Sequence, residues 1–268
     1  MAFDKILLVG CGNMAGAMLQ GWLACGIESE RFTVADPAPR QLPAGVTKLD
    51  AIPAEGGFDT ILLGVKPQLL GEVVPQVEPL AGPDTVVFSM LAGVELTVLE
   101  SRFPRAGGVV RIMPNLAAAL GKSPIALAAR GLDDAGRAAA LAWLAPLGTP
   151  EWIGEEEFDL VTALAGSGPA FVYRFINALA SASAELGLPA DKAQRLALAM
   201  VEGAAALAAV SEHDPGELAR RVASPGGVTQ AGLDALDEGD ALRLLLERTL
   251  CAARDRSAEM AAEALRKG

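Results

Sequence analysis

Two short segments near opposite ends of this chain hold the residues best suited by type and spacing to do chemistry. Gly10-Cys11-Gly12-Asn13-Met14-Ala15 runs from an apolar stretch into a helical pattern, and in that setting a Gly-x-Gly-x-x-Ala turn cradles a dinucleotide pyrophosphate. Gly10 permits the tight bend and Gly12 lets phosphate approach the backbone. Asn13 and Met14 open a helix whose N-terminal N–H groups meet the negative charge. Asp36 follows about twenty residues beyond the turn, where a carboxylate can accept hydrogen bonds from an adenosine ribose. That favours NAD over NADP, while Arg40 is near enough in sequence to offset repulsion of a 2'-phosphate. Both reduced coenzymes, NADPH and NADH, therefore stay open.

Ser224-Pro225-Gly226-Gly227-Val228-Thr229 is the second segment. It precedes an apolar-periodic run, so a bend leading into a helix start is expected, with exposed N–H groups and the Ser224 and Thr229 hydroxyls suited to a small carboxylate. Between the two lie Gly64-Val65-Lys66-Pro67, Ser89-Met90-Leu91-Ala92-Gly93 and Arg111-Ile112-Met113-Pro114-Asn115, each closing an apolar run. Ligands of open parallel sheets bind at such carboxyl ends, and Asn115 is expected to present its amide to the nicotinamide side. Gly166-Ser167-Gly168-Pro169-Ala170 reads as a helix cap rather than a nucleophile site, since no base accompanies Ser167. Glu212-His213-Asp214-Pro215-Gly216 is a polar break between helices, more often a solvated connector than a site.

The inventory of the chain limits the chemistry. His213 is the sole histidine, which excludes most Ser-His hydrolases and every multi-histidine metal site. Cys11, Cys25 and Cys251 are the only cysteines, without metal-ligand or Cys-x-x-Cys spacing, so no metal and no disulfide framework is expected and a reducing cytoplasm fits. A formal charge of -11 disfavours nucleic acid, which is bound by Lys and Arg displacing counterions. The uncharged stretch between Lys5 and Glu28 is long, but Gly10, Gly12 and Asn13 interrupt it where a membrane span would need a continuous apolar helix.

These residues need elements to position them. With 268 residues, two domains are the first expectation. Over 1–154, short apolar runs alternate with amphipathic segments. Strands are predicted at Ile6–Val9, Phe32–Ala35, Thr60–Gly64, Val86–Ser89 and Val109–Met113, with weaker ones near Ile125–Ala128 and Glu151–Ile153, and a helix spans about 133–147. The pattern predicts an α/β dinucleotide-binding Rossmann domain with a mainly parallel sheet. Over 155–268, β-branched clusters fade and Ala/Leu periodicity takes over, as at Leu196, Met200, Ala204 and Leu207, so an all-α domain is predicted. No Phe, Trp or Tyr follows Phe175; helices so poor in large side chains bury little alone, which predicts dimerisation through them.

Together the segments Gly10–Met14, Val65–Pro67, Arg111–Asn115, Gly166–Ala170 and Ser224–Thr229 resemble pyrroline-5-carboxylate reductase, in that family's order across nearly the whole chain. One departure is Leu116-Ala117, where the family usually continues with Thr-Pro. The resemblance implies reduction of L-Δ1-pyrroline-5-carboxylate to L-proline by NAD(P)H, the last step of proline biosynthesis. It further implies an interlocked homodimer, sometimes a ring of dimers, built on the helical domain. It assigns Ser224, Gly226, Gly227, Val228 and Thr229 to the substrate, with the Thr229 hydroxyl near the imine nitrogen, and Glu212 to the pocket beside the nicotinamide. Gly10, Gly12, Asn13, Met14, Asp36, Val65, Lys66, Pro67, Ala92 and Asn115 fall to the coenzyme. Two rivals remain: a β-hydroxyacid dehydrogenase, which would want a catalytic lysine such as Lys192, and a dinucleotide sensor without turnover.

Overall fold

The structure is a computed structural model and describes residues 3–38 and 41–267. Its eight strands are β1 (Ile6–Val9), β2 (Phe32–Ala35), β3 (Thr47–Leu49), β4 (Thr60–Leu63), β5 (Val86–Ser89), β6 (Gly108–Met113), β7 (Ser123–Arg130) and β8 (Gly148–Trp152). They form one sheet in the order β3-β2-β1-β4-β5-β6-β7-β8. All neighbours are parallel except β6 and β7, so the last two strands run against the rest. The apolar runs of β1 and β4 are wholly buried, as strands covered on both faces must be.

Helices α1 (Asn13–Ala24), α2 (Leu70–Val77), α3 (Leu96–Arg102) and α4 (Asp134–Leu144) supply that cover. Trp22 of α1 stacks on Trp143 of α4 with ring centroids 4.5 Å apart, against the sheet residues Ile6, Leu8, Phe32 and Phe88. The opposite face buries Leu7, Val9, Ile61 and Leu63 under Leu70, Val74, Leu96 and Leu99. Each side thus follows the period-two alternation of the strands. Helix α4 starts where the Asp133 carboxylate accepts the Gly136 N–H at 2.8 Å, a side-chain cap.

The remaining helices are α5 (Phe158–Val161), α6 (Gly168–Glu185), α7 (Ala190–Val210), α8 (Pro215–Val222), α9 (Val228–Asp237) and α10 (Ala241–Lys267). A π-helical turn, Thr162–Gly166, lies between α5 and α6. The chain forms two compact units, Met1–Ser167 with Ala252–Gly268, and Gly168–Cys251. Segment 155–167 and the end of α10 pack with the sheet-bearing unit, where Phe158, Ala163, Ala165 and Ala261 are buried. In the second unit the buried core is three alanines, Ala180, Ala193 and Ala197. Of the described helices, α7 is long and apolar enough to cross a membrane by length and composition.

Candidate active site

The sheet order places the crevice for a ligand. Strands β2 and β4 flank β1, so the chain leaves β1 for opposite sides of the sheet at neighbouring carboxyl ends, the topological switch point where such sheets bind ligands. Gly10 and Gly64 meet there, each tied to the adjoining strand: Gly10 N–H donates to Ala35 O at 2.9 Å, and Gly64 N–H to Val9 O at 2.8 Å. Gly10 has φ +82°, and a Cβ on it would lie 2.8 Å from Val65 Cγ1. Only glycine fits this corner without strain.

Gly12, by contrast, faces open space: a Cβ placed there meets nothing within 4 Å. It is the N-cap of α1, and no side chain caps the helix. The first-turn N–H groups of α1 thus remain available in front of an unobstructed backbone, which is the donor set a pyrophosphate requires. A cavity of about 760 Å³ lies alongside, lined in part by Cys11, Asn13, Gly16 and Gln20. Lys66 is exposed at the end of β4 and makes no ion pair among the described residues, leaving its ammonium free for an anion. Its extended backbone and Pro67 at the next position start a short 3-10 turn, as expected for a residue before proline.

Asp36 is half-buried and fixed by the turn itself. Its Oδ2 accepts the Cys11 N–H at 2.7 Å and its Oδ1 accepts the Ala38 N–H at 2.8 Å. Each oxygen keeps a further lone pair for a ligand hydroxyl. This clamp was not read from the sequence, although a carboxylate at the end of the second strand is the signal that locates it. Arg40 falls outside the described residues.

Asn115 is held from within the protein. It is 5% exposed, its Oδ1 accepts the Ala117 N–H at 2.9 Å, and its Nδ2 donates to Ala165 O at 2.9 Å. The side chain turns into the protein because a buried amide must find partners, and two backbone groups supply them. Ala92, in the loop after β5, is half-buried.

The second group of candidates lies in the helical unit. Gly226 has φ +69°, Gly227 N–H donates to Ser224 O at 2.9 Å, and Gly227 is the N-cap of α9 without a side-chain cap. The predicted bend and helix start are therefore present. Ser224 and Thr229 are exposed, and Val228 is 94% exposed. Glu212 is exposed, while half-buried His213 directs its N–H at Ser211 Oγ, 3.0 Å away. Asp214 caps α8 through the Glu217 N–H at 2.9 Å. Hydrogen bonds from Arg221 and Arg220 hold the Glu217 carboxyl below the ordinary carboxylate range. Lys192 is exposed in the first turn of α7, where its amine is solvated rather than desolvated as a buried catalytic lysine would be.

Comparison with known proteins adds independent findings. Residues 155–260 match the pyrroline-5-carboxylate reductase dimerisation family, and residues 5–93 match the coenzyme F420-dependent NADP oxidoreductase family. The pyrroline-5-carboxylate reductase of Pseudomonas aeruginosa is 34% identical over 269 residues, covering 97% of this chain and 98% of that protein. The structure of the Coxiella burnetii pyrroline-5-carboxylate reductase superposes with a TM-score of 0.87 at 28% identity, covering 97% of this chain and 99% of that one. That of the Plasmodium falciparum pyrroline carboxylate reductase with NADP bound gives a TM-score of 0.81 at 23% identity over the same shares; at that identity the likeness concerns the fold.

Proposed function

The chain belongs to the pyrroline-5-carboxylate reductase family, and from that premise we propose that it reduces L-Δ1-pyrroline-5-carboxylate to L-proline with NADPH or NADH. The observation that carries the reading within the structure is the uncapped start of α1 behind an open Gly12, since it presents N–H donors suited to a pyrophosphate at the sheet's switch point. Gly10, Gly12, Asn13 and Met14 hold the pyrophosphate, Asp36 the adenosine ribose, Val65, Lys66 and Pro67 the phosphate side, and Ala92 the nicotinamide side. When bound, the coenzyme supplies the hydride that adds to the carbon of the C=N bond.

The chain's own residues bind and orient the acceptor. The start of α9, with Ser224, Gly226, Gly227 and Val228, takes the substrate carboxylate on backbone N–H groups. The Thr229 hydroxyl sits at the imine nitrogen, where it steadies the proton that the amine product keeps. Glu212 lines the pocket. A polarised C=N accepts hydride readily, so positioning and one hydrogen bond at nitrogen suffice, and His213 stays outside the chemistry.

The match to a dimerisation domain supports oligomerisation, and we assign the protein a homodimer whose interface is the apolar surface of the helical unit. Tyr173, Phe175, Leu196, Met200 and Leu207 are all exposed, and a core of three alanines is too small to hold such helices alone. A second copy accounts for the apolar face of α7 better than lipid does, because Arg195 and Glu202 sit within that helix. A reducing cytoplasmic setting fits the sparse cysteines.

The test follows nicotinamide absorbance with purified protein, pyrroline-5-carboxylate and each reduced coenzyme in turn. Substrate-dependent oxidation is expected, and Thr229→Ala should lower kcat about ten- to a hundredfold, as for loss of one positioned donor. No oxidation with either coenzyme would leave the sensor as the better reading. Wild-type kinetics in Thr229→Ala would remove that residue from the chemistry.

A further inference from the structure

The loop that follows β5 borders the switch-point crevice, and a helix remote in sequence supports it from behind. Leu63 of β4 and Ser89 of β5 are register partners at the carboxyl edge of the sheet, and Met90 N–H donates to Leu63 O at 3.3 Å. Loop 90–93 thus starts beside Gly64, on the nicotinamide side of a dinucleotide whose pyrophosphate lies over β1. Leu91 N–H donates to Ser89 Oγ at 3.3 Å and Val94 N–H to Leu91 O at 3.3 Å. The Leu91 and Val94 side chains are buried in the core, while Ala92 between them is half-buried. Alanine offers a methyl group and backbone groups only, so its use to a ligand depends on where it stands.

Gly93 is the point at which that place is set. It has φ +75°, and a Cβ on it would lie 3.0 Å from both Cα and N of Ala261 and 3.1 Å from the Met260 carbonyl carbon. The loop therefore rests directly on the backbone of α10, an approach that needs glycine on the loop side. On the helix side Ala261 is 8% exposed and small enough to admit it. From Ala252 onward α10 belongs to the sheet-bearing unit, so the contact lies within that unit. Four residues earlier, Ser257 Oγ donates to Asp159 Oδ1 of α5 at 2.7 Å. Ser257 and Ala261 share a helix face, which gives this end of α10 two successive anchors.

We propose that Ala261 and Ser257 are positioning residues for the nicotinamide half of the coenzyme. Ala261 carries Gly93 on the helix backbone and so fixes where Ala92 meets the crevice, and Ser257 holds the helix that does the carrying. Because close-packed interiors transmit displacement, a shift of α10 moves the loop. The inference rests on the dinucleotide site proposed above and deepens it. Adenosine and pyrophosphate depend on Asp36 and the glycine turn, whereas the nicotinamide end depends on a helix from the other end of the sequence.

The test titrates the intact chain with NADH and with ADP, which carries adenosine and two phosphates but no nicotinamide ribose. Calorimetry gives each Kd, while light scattering and thermal unfolding report mass and midpoint. Ala261→Leu forces bulk into the contact between α10 and the loop. The Kd for NADH is expected to rise about tenfold, comparable to loss of one well-made contact, with the Kd for ADP within about twofold of wild type. In imine reduction, kcat/KM for NADH falls by a similar factor. Ser257→Ala adds no bulk and keeps the test available where Ala261→Leu does not fold. Its Kd for NADH rises about threefold, and Ser257→Thr, which retains the hydroxyl, restores the wild-type value. Equal rises for NADH and ADP would overturn the proposal, because the whole crevice would then have moved. An unchanged Kd for NADH in folded Ala261→Leu, with or without a lower midpoint, would reduce the contact to a support of the fold. Wild-type protein that binds NADH yet turns over no imine would remove the reductase reading alone, since the comparison of the two Kd values needs no imine.

Discussion

Asp36 carries two duties that pull on the same pair of oxygens. Its bonds to the Cys11 and Ala38 N–H groups keep the carboxylate beside the glycine turn, so it cannot swing away from an incoming 2'-phosphate. A fixed anion next to a phosphate is repulsive, whereas a ribose hydroxyl gains an acceptor. Asp36→Ser keeps a hydroxyl for the loop N–H groups but removes the charge. The ratio of kcat/KM for NADPH to that for NADH should then rise about tenfold, equivalent to about 1.4 kcal/mol, measured on the same preparation with saturating imine. A ratio equal to that of wild type would confine Asp36 to holding the turn. Asn115 teaches the complementary lesson. Its type and place at a strand end suggested a ligand donor, yet its partner is the carbonyl of Ala165, fifty residues on. Nothing local in the sequence marks that pairing, nor the one between Arg111 and Glu155, because both depend on where a distant segment returns to the sheet.

At the scale of elements, the turn between β1 and α1 separates two glycines by physical role. Gly10 is required by the backbone, with φ +82° and Val65 in contact range, whereas the space over Gly12 is open. Gly10→Val should destabilise the fold, by about 1–2 kcal/mol for the left-handed backbone alone and further through collision with Val65. Gly12→Val should leave the thermal midpoint close to wild type while weakening coenzyme binding by about tenfold or more, since the new side chain occupies the approach of the pyrophosphate. Equal loss of stability in both would show that Gly12 serves the fold rather than the ligand. Sequence patterning located the strands that frame this turn: β1, β2 and β5 have the predicted limits, because apolar runs closed by glycine or a polar residue are what doubly covered strands require. It missed β3, whose Thr47-Lys48-Leu49 is short, partly exposed and at the sheet edge, where neither alternation nor a continuous apolar run develops. The π-turn at Thr162–Gly166 was equally invisible, for its residues suit an ordinary helix and the Met113 and Asn115 contacts that meet it come from a segment about fifty residues away.

For the molecule as a whole, the imbalance between the two units is the governing fact. The sheet-bearing unit buries large aromatic and aliphatic side chains on both faces, while the unit Gly168–Cys251 buries alanines and exposes leucines. Apolar area removed from water stabilises by about 25 cal/mol per Å², so helices that leave Leu196, Met200 and Leu207 in solvent forgo most of what their own folding could yield. These three recur at spacings that place them on one side of α7, the arrangement expected of a self-complementary contact about a two-fold axis. If that contact is the dimer interface, stability and assembly must be linked, and the thermal midpoint should rise with protein concentration. Met200→Glu puts a charge at the centre of the stripe. In a lone chain it would be nearly silent, because the residue is half exposed and glutamate is a good helix former. In a dimer it buries an unpaired carboxylate at the interface, and at micromolar concentration light scattering coupled to size exclusion should report the mass of one chain in place of two. Loss of the concentration dependence of unfolding in the same variant would tie the association to folding of the helical unit, whereas a wild-type mass in Met200→Glu would move the interface off this face of α7.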